Sequence, residues 1–121
     1  MANQRVLVVE DEVVLLLDLV DNLADYGYEP LPVTTAKAAA GLLGDTICAL
    51  VTDIELPGGY DGLQLARVAA RNRPHMPIVV VSGGVRPSAY QLPAGAVFLA
   101  KPYRVEDIVA ALESQRIARA A

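Results

Sequence analysis

The sequence predicts an α/β fold in which a five-stranded parallel sheet carries helices on both faces. Three observations lead there: short apolar runs alternate with segments of helical periodicity, the strongest runs are continuously apolar, and each of these ends abruptly on polar residues. Continuous Val, Ile and Leu runs belong to strands buried on both faces, and helical crossovers between parallel strands provide that burial.

Val6-Leu7-Val8-Val9 is the first strand and stops at the acidic triplet Glu10-Asp11-Glu12. Val13, Leu16, Leu17, Val20, Leu23 and Ala24 then recur at helical spacing, with Asp18, Asp21 and Asp25 on another face, until Gly27 ends the helix. Tyr28 to Val33 is a weaker strand whose Pro30 and Pro32 cannot donate to a ladder, which places it at a sheet edge. Thr34 or Thr35 caps an alanine-rich helix through Leu43, and its small side chains allow close packing. Ile47 to Thr52 is the third strand, closed by Asp53 and followed by the turn-rich stretch Leu56 to Gly62. Asp61 caps a helix from about Gly62 to Asn72, which Arg73-Pro74 terminates.

Pro77 to Val81 is the fourth strand, ending at Ser82-Gly83-Gly84, and Ala96 to Ala100 is the fifth, ending at Lys101-Pro102. Prolines and glycines between Gly83 and Gly95 leave room for about one or two helical turns, so the fourth crossover helix is expected to be short, irregular or mobile. Val105, Ile108, Val109 and Leu112 mark a closing helix with Glu106 and Asp107 in its first turn. Right-handed crossovers favour the doubly wound, flavodoxin-like arrangement with strand order 2-1-3-4-5.

The 121 residues suit a single domain over 1–121, and a 54% hydrophobic, 20% charged composition with positive mean hydropathy excludes a disordered or low-complexity chain. Ten Lys and Arg against fourteen Asp and Glu give a net charge of -4, the wrong balance for direct nucleic-acid binding. Cys48, the single cysteine, permits no internal disulfide and fits a reducing compartment. There is no signal-peptide pattern and no apolar stretch of about eighteen residues, so a cytoplasmic protein without a membrane partner is expected.

In an open parallel sheet ligands bind beyond the carboxyl ends of the strands, and those ends here carry Glu10, Asp11, Asp53, Ser82 and Lys101. Clustered carboxylates repel, and their hard oxygens suit Mg²⁺, with Mn²⁺ as the alternative ion. If Asp53 attacks a phosphorus centre, a metal and an ammonium group must neutralise the transferring oxygens while a hydroxyl binds the product group; Asp11, Lys101 and Ser82 suit those tasks.

These residues resemble the receiver domain of two-component response regulators over essentially the whole chain. The resemblance rests on Val-Val-Glu-Asp-Glu at 8–12, Thr-Asp-Ile-Glu-Leu-Pro-Gly at 52–58, Asp61-Gly62, Val-Val-Val-Ser-Gly at 79–83 and Lys101-Pro102-Tyr103. It implies that Asp53 is the phosphoacceptor. It also implies that Asp11 and Asp53 bind Mg²⁺ with the Glu55 backbone carbonyl, that Glu10 assists through water, and that Ser82 and Lys101 bind the phosphoryl oxygens. Phe98 corresponds in order to an aromatic switch on the fifth strand. Leu15 and Leu19 form a second apolar stripe on the first helix, a candidate docking surface for a histidine kinase or histidine phosphotransfer protein.

Two departures from the common pattern stand out: the loop from Pro57 to Gly62 is one residue longer, and Ser82 to Lys101 is a few residues shorter. Glu55 adds a carboxylate beside the site, while His75, Cys48 and Tyr103 read as loop or packing residues. The expected function is a stand-alone switch, not a turnover enzyme, with self-catalysed phosphoryl transfer from a phosphohistidine donor and possible autodephosphorylation. Its candidate partners are the donor, a downstream output protein and a second copy of the chain. A receiver-like interaction module independent of phosphorylation is the alternative. An aspartyl-phosphate phosphatase fits less well, because Glu55 stands where the haloacid dehalogenase type has a second Asp.

Overall fold

The computed structural model describes the backbone of residues 4–120 and the side chains of residues 4–116. In chain order the elements are β1 (Arg5–Val9), α1 (Val13–Asp25), β2 (Glu29–Val33), α2 (Ala36–Ala40), β3 (Ala49–Asp53), α3 (Gly62–Asn72), β4 (Ile78–Ser82), β5 (Val97–Ala100) and α4 (Val105–Ala120). The five strands form one sheet in the order β2-β1-β3-β4-β5, and every pairing is parallel. The expected doubly wound topology is therefore present, with the proline-bearing β2 at an edge. Glu29 donates its amide to the Gln4 carbonyl, so the alternate positions Pro30 and Pro32 turn their missing donors toward the open side.

Strand alternation divides the interior into two layers. Leu7, Val9, Leu50 and Val80 meet Ala36, Ala39, Leu65, Ala66 and Ala69 of α2 and α3 on one face. Val6, Val8, Val51, Val79 and Val81 meet Leu16, Leu19 and Leu23 of α1 and Ile108 and Leu112 of α4 on the other. Two apolar faces on each central strand account for the continuous runs in the sequence.

Local signals set the ends of several helices. Thr35 Oγ1 accepts the Ala38 amide, and Asp61 and Gln64 form a reciprocal capping box at the start of α3. At the end of α1, Gly27 has φ +91°, and the Gly27 and Tyr28 amides donate to the Ala24 and Leu23 carbonyls, a Schellman closure.

Three expectations are corrected. The second helix stops at Ala40 instead of Leu43, because Gly41 and Leu42 turn the chain out of the helix. The core stripe of α1 consists of Leu16, Leu19 and Leu23, with Val20 half-buried, whereas Val13 and Leu17 are exposed. Among the described residues none between β4 and β5 is helical; this segment runs through turns, including Gln91 N–H to the Ser88 carbonyl and Ala96 N–H to the Pro93 carbonyl.

The third crossover leaves no room for a side chain where it joins the sheet. The Gly62 amide donates to the Ile54 carbonyl at 2.9 Å. A Cβ at Gly62 would lie 1.7 Å from the Asp53 carbonyl oxygen. Gly62→Ala must therefore push α3 away from the end of β3, with an expected loss of about 1–3 kcal/mol in urea unfolding. Unchanged stability would show that this close approach is not needed.

Candidate functional site

β1, β3 and β5 end side by side with β4, and their last residues bring an acidic pair and a lysine together. Glu10 follows β1 and Asp53 closes β3; they are 3% and 5% exposed, unusually low for carboxylates. Lys101 Nζ, just beyond β5, donates to Glu10 Oε1 at 2.8 Å and to Asp53 Oδ2 at 3.2 Å. The second Glu10 oxygen accepts the Glu12 amide at 3.1 Å. Glu10 is thus held directly by protein donors. The Lys101–Pro102 peptide is cis.

Asp53 is less completely satisfied. Its Oδ1 is buried without a hydrogen-bond partner, and one oxygen each from Glu10, Asp11 and Asp53 lie within 4.8 Å of one another. A divalent cation is a ligand that such an orphaned oxygen and two neighbouring carboxylates can share, so the residues present fit Mg²⁺. Asp11 is exposed and gives the cluster an open, solvated side.

The electrostatics follow from this packing. Burial pushes the Asp53 carboxyl up, and the Glu10 charge adds to that push; Lys101 and the Ile54 amide act against it, and the outcome is a pKa of about 6. Burial alone would lower the Lys101 ammonium, but its hydrogen bonds and charge pairing with Glu10 and Asp53 raise it above its usual range. The Tyr103 phenol nearby is raised by burial and then by Glu10.

Ser82 lies buried at the end of β4, and its hydroxyl donates to Glu55 Oε1 at 2.8 Å. Sequence reasoning assigned Glu55 only a backbone role and left its side chain open. The available signal was its place two residues after Asp53, which in extended chain returns a side chain to the same side. Phe98 is half-buried on β5, and the Arg86 guanidinium sits 5.6 Å from its ring centroid.

The two leucines proposed for docking separate in the structure. Leu15 is 37% exposed beside Val14 and Leu17, but Leu19 is 3% exposed and packs in the α1/α4 layer. Leu19 is a core residue because it shares the inward stripe with Leu16 and Leu23. The thiol of Cys48 donates to the Arg5 carbonyl, and His75 lies exposed before β4; neither joins the strand-end cluster.

The response regulator receiver domain family matches residues 6–113. The chain belongs to this family. This receiver is 31% identical over 120 residues to the response regulator receiver protein CpdR of Brucella abortus, covering 95% of this chain and 98% of that protein. It is 32% identical over 109 residues to the response regulator protein FleR of Pseudomonas aeruginosa, covering 87% of this chain but only 23% of FleR. Among solved structures, a response regulator receiver protein from Sinorhizobium medicae matches with a TM-score of 0.84 at 34% identity over 95% of both chains. The receiver domain of NtrX from Brucella abortus matches with a TM-score of 0.78 at 27% identity, covering 93% of this chain and 98% of that one.

The raised carboxyl of Asp53 has a measurable consequence in metal-free protein. Its folded pKa of about 6 lies above the reference value of 3.8, so ionisation works against the fold: the penalty is absent below about pH 4 and complete above about pH 6. Asp53→Asn is expected to raise unfolding free energy by about 1–3 kcal/mol at pH 7–8, with the gap closing as the pH falls through this window. Urea unfolding with chelator at several pH values measures it. A gap that stays constant with pH would contradict this assignment.

Proposed function

We propose that this receiver is a signalling switch that accepts a phosphoryl group on Asp53 from a phosphohistidine donor and then binds a downstream protein with altered affinity. The observation that carries the reading is the buried Asp53, held by Lys101 through one oxygen and left without a partner at the other, inside a cluster that fits a divalent cation. Family membership supports the same chemistry.

In the transfer, an Asp53 oxygen attacks phosphorus, the bond from phosphorus to the donor nitrogen breaks, and the electron pair leaves with the imidazole. Asp11 and Asp53, with the Glu55 backbone carbonyl, would hold Mg²⁺, and Glu10 would orient its water; the ion supplies neutralisation of the phosphoryl charge. Lys101 supplies a second positive charge from the end of β5 on the same rim, and Ser82 supplies a hydroxyl to the product group. Nothing in this sequence of events requires turnover, which suits a switch. A phosphoryl group brings up to about two negative charges, and the affected element must bind it differently in two conformations. Phe98 is the candidate aromatic reporter of that change.

For the donor protein, the outward surface at the start of α1 is the favoured contact. Val13, Val14, Leu15 and Leu17 are exposed there, and Leu15 also borders a cleft of about 380 Å³ formed with Asp18, Lys101, Pro102 and Tyr103. An apolar patch of this kind, adjoining the lysine that touches Asp53, suits a helix that brings a phosphohistidine to the site. A cytoplasmic location fits this role.

Incubation with Mg²⁺ and acetyl phosphate, followed by intact mass, is expected to show one added phosphoryl group that disappears in Asp53→Asn and on chelation. A folded protein that neither gains mass nor binds Mg²⁺ would favour the phosphorylation-independent interaction module. Leu15→Asp is expected to slow transfer from a phosphohistidine protein roughly tenfold while changing acetyl phosphate labelling far less. Equal slowing with both donors would remove Leu15 from the docking surface.

A further inference from the structure

A serine hydroxyl has one proton to donate, and here Ser82 gives it to Glu55 Oε1 at 2.8 Å. That carboxylate oxygen also accepts the Gly84 amide at 3.2 Å, while Ser82 Oγ accepts the Val85 amide at 2.9 Å. The backbone is pressed close to the carboxylate: a Cβ on Gly84 would lie 3.1 Å from Glu55 Oε2 and 3.2 Å from Oε1. One side chain from the β3–α3 loop therefore holds both the hydroxyl at the end of β4 and the first residues of the segment beyond it.

We infer that Glu55 is a positioning residue that latches Ser82 and Gly84 in the resting state, and that a phosphoryl group on Asp53 opens the latch by accepting the hydrogen bond that the Ser82 hydroxyl otherwise gives to Glu55. This inference rests on the reading of Asp53 as phosphoacceptor. The two acceptors compete because one O–H cannot donate fully to both. Glu55 has a charge-assisted hydrogen bond and the Gly84 amide in its favour; the phosphoryl group has greater charge. Once the Ser82 bond is lost, Glu55 retains only the longer Gly84 contact. The following segment has no helical hydrogen bonds among its described residues to resist movement. The latch thus ties a site event to rearrangement of the segment leading into β5.

The experiment compares wild type with Glu55→Ala, Glu55→Gln, Ser82→Ala and Ser82→Ala/Glu55→Ala. It measures the rate of acetyl phosphate labelling with Mg²⁺, and Gly84 and Val85 amide exchange in the unphosphorylated, metal-free protein. A glutamine carbonyl oxygen still accepts from Ser82 and Gly84, so Glu55→Gln keeps the latch but removes the charge. The expected result is labelling roughly three- to tenfold faster in Glu55→Ala, the scale of one net hydrogen bond, a smaller increase in Glu55→Gln, whose neutral oxygen keeps the latch without the charge assistance, and loss of the Glu55→Ala effect in the Ser82→Ala background. Gly84 exchange should quicken in Glu55→Ala and remain slow in Glu55→Gln.

Equal acceleration in Glu55→Ala and Glu55→Gln, persisting without Ser82, would overturn the latch and assign Glu55 to simple repulsion of the donor. Unchanged Gly84 exchange in Glu55→Ala would also overturn it. Absence of labelling in wild type would instead overturn Asp53 as phosphoacceptor and, with it, the proposed release, while Gly84 exchange would still report separately whether Glu55 holds the resting loop.

Discussion

Glu10 and Asp53 stand almost fully buried at the ends of neighbouring strands, and Lys101 lies between them. Two buried carboxylates so close repel each other, and removing their shared counter-charge would leave a desolvated anion pair at the carboxyl ends of two central strands. The constraint reaches into the fold. Lys101 sits beyond β5, with β4 between it and Asp53, so its stem must cross the end of β4, where it runs beside Gly83. The register places Ser82 opposite Ala100, and the Lys101 amide bonds the Ser82 carbonyl, fixing where the lysine leaves the sheet. The orphaned Asp53 oxygen is the remainder of this arrangement: one ammonium cannot satisfy every carboxylate oxygen present.

On the far side of β4 the packing is thinner. β5 is only partly buried, and in place of a crossover helix the segment before it lays Arg86 over the Phe98 ring and leaves Leu92 against the core. A guanidinium above an aromatic face gives a favourable cation–π contact while its charged head stays in water. The Arg67 side chain donates to the Gln91 carbonyl, an exposed bond that ties the segment to α3. Such a region has few buried contacts to break when it rearranges. The same sheet therefore combines a rigid centre, where the charges are held, with a lightly fastened flank.

Much of this organisation is legible in the sequence because it rests on short-range rules. Continuous β-branched runs identify strands buried on two faces, Pro30 and Pro32 identify the edge, and polar residues ending successive strands identify the rim where a parallel sheet binds ligands. The face of α1 was harder to read. Val13 to Leu17 are five consecutive apolar residues, which fit several helical stripes equally well; contact with α4 and the sheet selects Leu16, Leu19 and Leu23. The early end of α2 was hidden for a similar reason, since apolar Leu42 and Leu43 continue the pattern after the backbone has left the helix. The side-chain role of Glu55 depends on a loop far away in sequence, and Arg86 reaches Phe98 only because no helix intervenes. Neither follows from local periodicity.

The edge prolines have a consequence for how this domain behaves in a crowded solution. A parallel sheet has two open margins, each able to recruit another strand through unpaired backbone groups. On β2, Pro30 and Pro32 remove the outward donors, so that margin cannot template a regular ladder. The other margin, β5, offers only four residues. Neither side provides the long, flat edge on which strands from other molecules could stack. An apolar helix surface can then remain exposed for selective contacts without an equally inviting sheet margin turning those encounters into fibrous assembly.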